Sequence, residues 1–482
     1  MTLRSRPAAR RLGVATWLVF SLSTARGYGA PSISGAHGIA FSPSQAGALL
    51  VRTPYGVFHS RDGGQTADFL CDEVMTAARD APAEVVFVNG GALLASRPPS
   101  WLTLGLPAVL PGTPTENVPH LARSEDGCNW QTFGTEGELS QFAVDPSHPE
   151  RVLAVGFGIE ELEPSDSGEP RERSRARLML STDAGESFAR LLELPPETTP
   201  LSVVIAPSNS ERVYVAAWAQ RSEGTGSRLL VSSDGGSEFR EFALPGGERL
   251  AARVVAVHPL RENRVYLQLQ DSGETQLLVS DDAGETFRSF FTGAENLTGF
   301  AIADDGRELY FGSRSGTWAA RGDGSEPERR SELAVTCLAY GDFALFACPS
   351  DSSPYALARS TDGGRSFTHS LRFADTCGSS GCSEGTDVQL TCPAVLPEIA
   401  STLEVKACAP SSGWSDGTAG AGYEPAQVSR VRARGGCQFG YSAAAASGWA
   451  GWFSAIVLWS VRIGARNRRH RPQSRTRSPL AE

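Results

Sequence analysis

Lysine is nearly absent from this sequence: Lys406 stands alone among 44 basic residues, and the rest are arginine. Also missing are a Gly-rich phosphate loop, a calcium-loop pattern, an H-E-x-x-H helix and any C-x-x-C or H-x-H spacing. Those absences remove the sequence signs of nucleotide, calcium and zinc sites, so no cofactor or metal is expected. A basic face is missing too. Between residues 31 and 461 there are 32 Lys+Arg against 53 Asp+Glu, a net charge of −21. Such a surface repels phosphate backbones and excludes nucleic acid as a partner. The seven histidines (His37, His59, His120, His148, His258, His369 and His470) are scattered, with no triad context.

What the chain does contain is a repeat, S-x-D-x-G-x-[ST]-F. It reads Ser60-Arg61-Asp62-Gly63-Gly64-Gln65-Thr66, then Ser181-Thr182-Asp183-Ala184-Gly185-Glu186-Ser187-Phe188. Further copies run from Ser232 to Phe239, Ser280 to Phe287 and Ser360 to Phe367, and a shortened one from Ser124 to Trp130. An Asp in a tight turn accepts backbone N–H groups one or two residues on, and Gly supplies the positive φ a hairpin needs. The aromatic residue that follows opens the next strand. Each copy therefore reads as a hairpin staple.

These segments resemble Asp-box (BNR) repeats of sialidases, sortilin-type receptors and photosystem-assembly propellers. The resemblance implies a β-propeller whose boxes lie on outer hairpins away from the ligand. It makes Asp62, Asp126, Asp183, Asp234, Asp282 and Asp362 structural. Short β-branched and aromatic runs around each box, such as Arg212-Val213-Tyr214-Val215 and Leu229-Leu230-Val231, read as four strands per unit, A to D. The box aspartates are separated by 64, 57, 51, 48 and 80 residues. The last interval suits two units, the first of them with a decayed box at Asp323-Gly324. The expected fold is thus all-β: a seven-bladed β-propeller with Asp-box hairpins over residues 35–373, a small Cys-containing C-terminal lobe and one transmembrane helix.

Both ends carry export signals. Arg4, Arg6, Arg10 and Arg11 precede the apolar residues 12–22, and small residues follow, so residues 1–30 read as a signal peptide. Residues 374–410 form a Cys-containing extension, and 411–436, rich in Gly, Ser and Ala, a flexible stalk. Residues 441–461 hold no charge and are long enough to span a bilayer, with an Arg-rich tail after them. The order Gly436-Cys437, apolar span, Arg cluster resembles the myxobacterial sorting segment MYXO-CTERM. It implies a sorting protease acting near Cys437, within an anchor segment of residues 437–482; a plain single-pass anchor is the alternative. Either places the propeller outside the membrane, an oxidising setting that suits nine cysteines. Spacing favours Cys337 with Cys348, Cys377 with Cys382 and Cys392 with Cys408, which leaves Cys71 and Cys128 over; the sequence alone leaves the connectivity of these eight cysteines open.

Function is expected on the face that gathers the B–C and D–A loops. Two long B–C loops are predicted there: residues 96–120 in blade two, with Trp101, and 158–177 in blade three. Trp218 at the end of a B strand in blade four lies nearby. Trp101 and Trp218 are the candidate ligand-binding residues, on a non-catalytic cell-surface module for a glycan or protein. The alternative is a surface glycoside hydrolase of sialidase type. That resemblance implies three clustered arginines, an Asp acid/base, a Tyr–Glu pair and an R-I-P segment before the first box. Here that segment is Gly38-Ile39-Ala40-Phe41, so no catalytic residue is assigned.

Overall fold

The structure, a computed structural model, describes residues 36–402 apart from 43–44, 54–55, 76–86, 94–100, 107–119, 135–137, 163–170, 223, 272, 351–352 and 374–381. These residues form seven four-stranded antiparallel sheets, each of four consecutive strands paired in chain order. Blade one is Gly38–Phe41, Leu49–Thr53, Gly56–Ser60 and Asp68–Cys71. Blade two is Phe87–Leu93, Trp101–Leu106, His120–Ser124 and Gln131–Gly134. Blade three is Glu138–Val144, Val152–Leu162, Arg171–Ser181 and Ala189–Glu193. Blade four is Thr198–Ala206, Asn209–Arg221, Gly224–Ser232 and Arg240–Ala243. Blade five is Ala251–Val257, Val265–Asp271, Glu274–Ser280 and Arg288–Gly293. Blade six is Gly299–Ile302, Glu308–Ser313, Gly316–Arg321 and Glu328–Ser331. Blade seven is Val335–Gly341, Ala344–Pro349, Tyr355–Ser360 and Thr368–Arg372. Two helices, α1 (Asp72–Met75) and α2 (Asp387–Thr402), complete the elements.

Strand A of each blade lies beside strand A of the next, and that of blade seven lies beside that of blade one. The apolar core is divided between the blades. Strand alternation explains this: on strand B of blade four, Val213, Val215 and Ala217 pack against blade three, while Tyr214 and Ala216 pack against blade five. Each fully buried Val or Leu contributes about 1.5–3 kcal/mol, so every blade depends on both neighbours. The D strands of blades three and four, by contrast, have no fully buried residue.

The ends of the ring meet without exchanging a strand. Phe41 and Phe346 pack edge-on at 5.2 Å between centroids, Gly47 N donates to Asp342 Oδ2 at 2.8 Å, and Thr336 Oγ1 donates to the Ala36 carbonyl. The C-terminal segment then fastens the seam. Cys71 on strand D of blade one is bonded to Cys392 in α2, and Cys128 in the box of blade two to Cys382. Val388 N donates to the Cys128 carbonyl at 3.1 Å, and Asp387 accepts Trp130 N at 2.8 Å. Val388 and Cys392 are buried in one cluster with Leu70, Val74, Met75 and Trp130.

These findings correct the expected fold class. Six blades are closed by a Ser–Asp staple, and the sheet at residues 299–331 is built without one, because Arg321 stands where the box serine would be. The cysteine-containing region is no lobe of its own: its described part, 382–402, is bonded to blades one and two. No described helix is long and apolar enough to cross a membrane; α2 has 16 residues. The segments read as leader, stalk, span and Cys437 lie outside the described residues. Of the predicted disulfides, Cys337–Cys348 forms, on facing positions of strands A and B in blade seven. Cys71–Cys128, Cys377–Cys382 and Cys392–Cys408 are replaced by the two long-range bonds; Cys377 and Cys408 fall outside the described residues. Three disulfides are the chemistry of an extracytoplasmic domain.

Candidate functional site

Antiparallel order puts the A–B and C–D turns on one face, the box face, and the B–C and D–A loops on the other. All six box aspartates lie at C–D turns. In blade five, Ser280 Oγ donates to Asp282 Oδ1 at 2.8 Å and accepts Gly284 N at 2.7 Å. Thr286 donates to the same carboxylate through N at 2.8 Å and Oγ1 at 2.6 Å. Partial burial opposes charge at Asp282, but the bonds from Thr286 and Ser280 outweigh it and hold its pKa below the ordinary value. At Asp362 the Ser366 hydroxyl leads the same effect. The box also docks. Gly284 has φ of +95°, and a Cβ there would lie 2.8 Å from Leu229 Cδ2 of blade four. Glycine is therefore required for both turn shape and blade contact.

Arginines extend this docking around the box face. Arg123 of blade two donates to Glu186 Oε1 of the next box at 2.6 Å. Arg151 Nη2 donates to the Gly235 carbonyl of blade four at 2.8 Å. Arg264 and Tyr266 both donate to the Gly322 carbonyl of blade six, and Arg288 Nη1 to that of Gly324 at 2.6 Å. None of these arginines was singled out from the sequence. The available signal was the recurrence of Arg-Val before a B-strand Leu or Tyr at 151, 212 and 264.

Two constellations on this face invite a catalytic reading and fail it geometrically. Ser210, His148 and Asp145 meet where blade three joins blade four. The Ser210 hydroxyl donates to Asp145 Oδ1 at 2.9 Å, and His148 Nδ1 lies 3.4 Å from Ser210 Oγ and 3.7 Å from Asp145 Oδ2. A general base must use one ring nitrogen for the nucleophile and the other for its orienting acid. Here both contacts fall on Nδ1, and the serine proton is given to the acid. Asp145, fully buried, also accepts Ser147 N, His148 N and Arg151 Nη1 at 3.1 Å. The group is a joint. In blade six, Tyr310 Oη donates to Glu308 Oε2, the pairing a sialidase would use. Tyr310 is only 3% exposed and its ring is stacked on Tyr340. Burial, then the Glu308 bond, push its pKa upward, the opposite of an activated nucleophile. Among the described residues no three His, Cys, Asp or Glu side chains gather as metal ligands.

The other face holds the hairpins. Strands B and C of blade three pair as far as Leu162↔Arg171. Strand A stops pairing at Phe157↔Glu138 and strand D at Arg177↔Glu193. The expected 158–177 loop is thus a two-stranded ribbon that outruns its own sheet. Blade four has a similar hairpin, closed at Arg221↔Gly224, where Arg221 donates to the Pro196 carbonyl at 2.6 Å and to Thr198 Oγ1 at 2.9 Å. Trp218 lies on this hairpin opposite Ser227 and Thr199, half-buried. Trp101 is placed differently from its expectation. It opens strand B of blade two, opposite Leu93 and the box serine Ser124, so its backbone is at the box face. Trp101 and Trp218 are not brought together.

Boxes, sheets and their circular order decide the architecture. The chain is an Asp-box β-propeller. A family model described as sortilin, neurotensin receptor 3 (Sortilin-Vps10), matches residues 176–319 of the propeller, less than a third of the chain. No curated protein matches it. Solved structures similar to the propeller include an ancestral GH74 enzyme, at 13% identity over 69% of this chain and 46% of the other, with a TM-score of 0.49. A puromycin-hydrolyzing peptidase of Mycobacterium tuberculosis is 14% identical over 73% and 56% of the two chains, with a TM-score of 0.45. YCF48 bound to D1 peptide is 10% identical over 50% and 69%, with a TM-score of 0.34. The propeller spans about half the length of the GH74 enzyme it matches.

Proposed function

We propose that this propeller is a non-catalytic extracytoplasmic binding module that takes a protein or glycan on its B–C face. The reading is supported chiefly by the blade-three ribbon, where residues 158–162 and 171–175 pair with each other beyond the ladders of strands A and D. A two-stranded ribbon that outruns its sheet presents backbone N–H and C=O groups to an incoming chain, a recurrent mode of recognition. The box-face carboxylates and hydroxyls described above are occupied in holding blades together. Trp218 stands on the adjacent hairpin and supplies an aromatic surface there.

The test is incubation of the exported full chain with a mixed glycan library, with retained and cleaved species read by mass spectrometry. A variant whose blade-three hairpin is cut back to a two-residue turn after Phe157 serves as the comparison. Retention by the parent that is lost in this variant and weakened by Trp218→Ala supports a glycan ligand. Cleavage would replace this reading with the glycoside hydrolase. No retention at all narrows the ligand to protein.

A further inference from the structure

Blade six departs from the other boxes in a way that leaves two charged side chains unused. In six blades the box aspartate is bonded by the serine two residues before it. In blade six that position is Arg321, and the turn reads Arg321-Gly322-Asp323-Gly324-Ser325. Arg321 and Asp323 are both exposed, with Gly322 buried between them. Arg321 makes no hydrogen bond or ion pair among the described residues. Asp323 accepts Ser325 N at 2.9 Å, a bond within its own turn.

The turn is nevertheless held fast through its backbone. Gly322 N donates to the Arg307 carbonyl at 2.7 Å and Gly324 N to that of Arg321 at 2.8 Å. From blade five, Arg264 and Tyr266 donate to the Gly322 carbonyl, and Arg288 to the carbonyls of Asp323 and Gly324. A Cβ on Gly322 would lie 1.7 Å from the Gly306 carbonyl oxygen, so the middle position admits glycine alone. Charged groups that the fold does not use, on a backbone that the fold fixes, lose little entropy when a partner takes them.

We propose that this turn is the ligand of a protein receptor that binds a carboxylate through a divalent cation and a guanidinium in an acidic pocket beside it. A wholly acidic partner would attract Arg321 and repel Asp323, and a wholly basic one the reverse, so the partner carries both signs. An exposed ion pair contributes only about 0–1 kcal/mol. A receptor reading Asp323 by a lysine or arginine would therefore gain little from it, whereas a bound divalent ion takes carboxylate oxygen as a direct ligand. Arg321 offers its planar fork to the pocket's carboxylate. The surface is separate from the B–C face and does not depend on the reading given for it.

The probe is the purified ectodomain of an integrin that takes Arg-Gly-Asp peptides, an adhesion receptor of this chemistry. It is passed over the immobilised full chain with Mn²⁺ present and read by surface plasmon resonance. Saturable binding is expected, abolished by EDTA and displaced by the peptide Gly-Arg-Gly-Asp-Ser but not by Gly-Arg-Gly-Glu-Ser. Arg321→Ala and Asp323→Glu, which keeps the charge on a longer side chain, should each weaken it by about tenfold or more. Glu326→Gln, at a nearby exposed position, should leave it unchanged. Circular dichroism checks that the variants fold, and the EDTA and peptide arms need no variant. No binding at about 10 μM receptor overturns the proposal, as does binding that survives EDTA or Asp323→Glu. Binding lost when the blade-three hairpin is cut back would move the contact to the opposite face and overturn it too.

Discussion

Cys71 on the outermost strand of blade one is bonded to Cys392 in α2, 321 residues later. With Cys128–Cys382, which spans 254 residues, it ties the segment after blade seven to the first two blades. The ring is therefore shut by covalent bonds where its ends share no strand. A single proteolytic cut at residues 163–170 should leave one band on a non-reducing gel and two after reduction; two bands without reductant would contradict the connectivity.

Stability should respond to the same bonds. Closing loops this long restricts the unfolded chain, and Cys392→Ser should cost about 3–5 kcal/mol. Urea unfolding of parent and variant under non-reducing conditions measures the difference. Reductant should bring the parent toward the variant.

The box serine is the second target. Ser280 Oγ gives its proton to Asp282 and accepts Gly284 N, so Ser280→Ala strands a buried N–H. The expected loss is about 1–2 kcal/mol, seen as a lower urea midpoint at unchanged slope.

Arg151→Ala leaves the buried Asp145 carboxylate without its cation and should cost about 3 kcal/mol. Adding Asp145→Asn removes the uncompensated charge. The double variant should then be more stable than Arg151→Ala alone, and a double variant that is less stable would refute the joint described here.

His258 sets the pH dependence. Burial first, then Arg264 and Arg261, depress its pKa from 6.5 to about 4. Its Nδ1 accepts Leu260 N at 3.1 Å, which requires the neutral ring. As pH falls through 6.5 the unfolded chain takes up the proton first. This contribution to stability is whole above pH 6.5 and is lost progressively toward about 4. The buried His59, lowered to about 3 by burial and then Arg61, adds to the same slope and carries it lower. The boxed carboxylates, whose pKa values are depressed, act in the same direction only below their unfolded value of 3.8. Melting temperature measured from pH 7 to 4.5 should fall, and fall less steeply in His258→Asn.

The sequence shows most plainly what is local. Box turns are legible because Ser, Asp and Gly act within five residues of one another. Cys337–Cys348 is legible because adjacent strands bring them level. Trp101 was expected within a B–C loop, whereas it opens strand B of blade two opposite Leu93, and strand A there carries a register shift between Val88 and Gly90. Long-range partners leave no spacing signal, so Cys71–Cys392, Cys128–Cys382 and the arginines that reach the next blade emerge only once the ring order is known.

The seam also records whether the chain has been finished. A chain interrupted before Cys382 would present Cys71 and Cys128 as free thiols, however well its early blades had formed. A thiol-reactive probe would therefore distinguish such fragments from the whole chain without reading anything about their blades. The bonds that shut the ring would thus double as a receipt for a finished molecule.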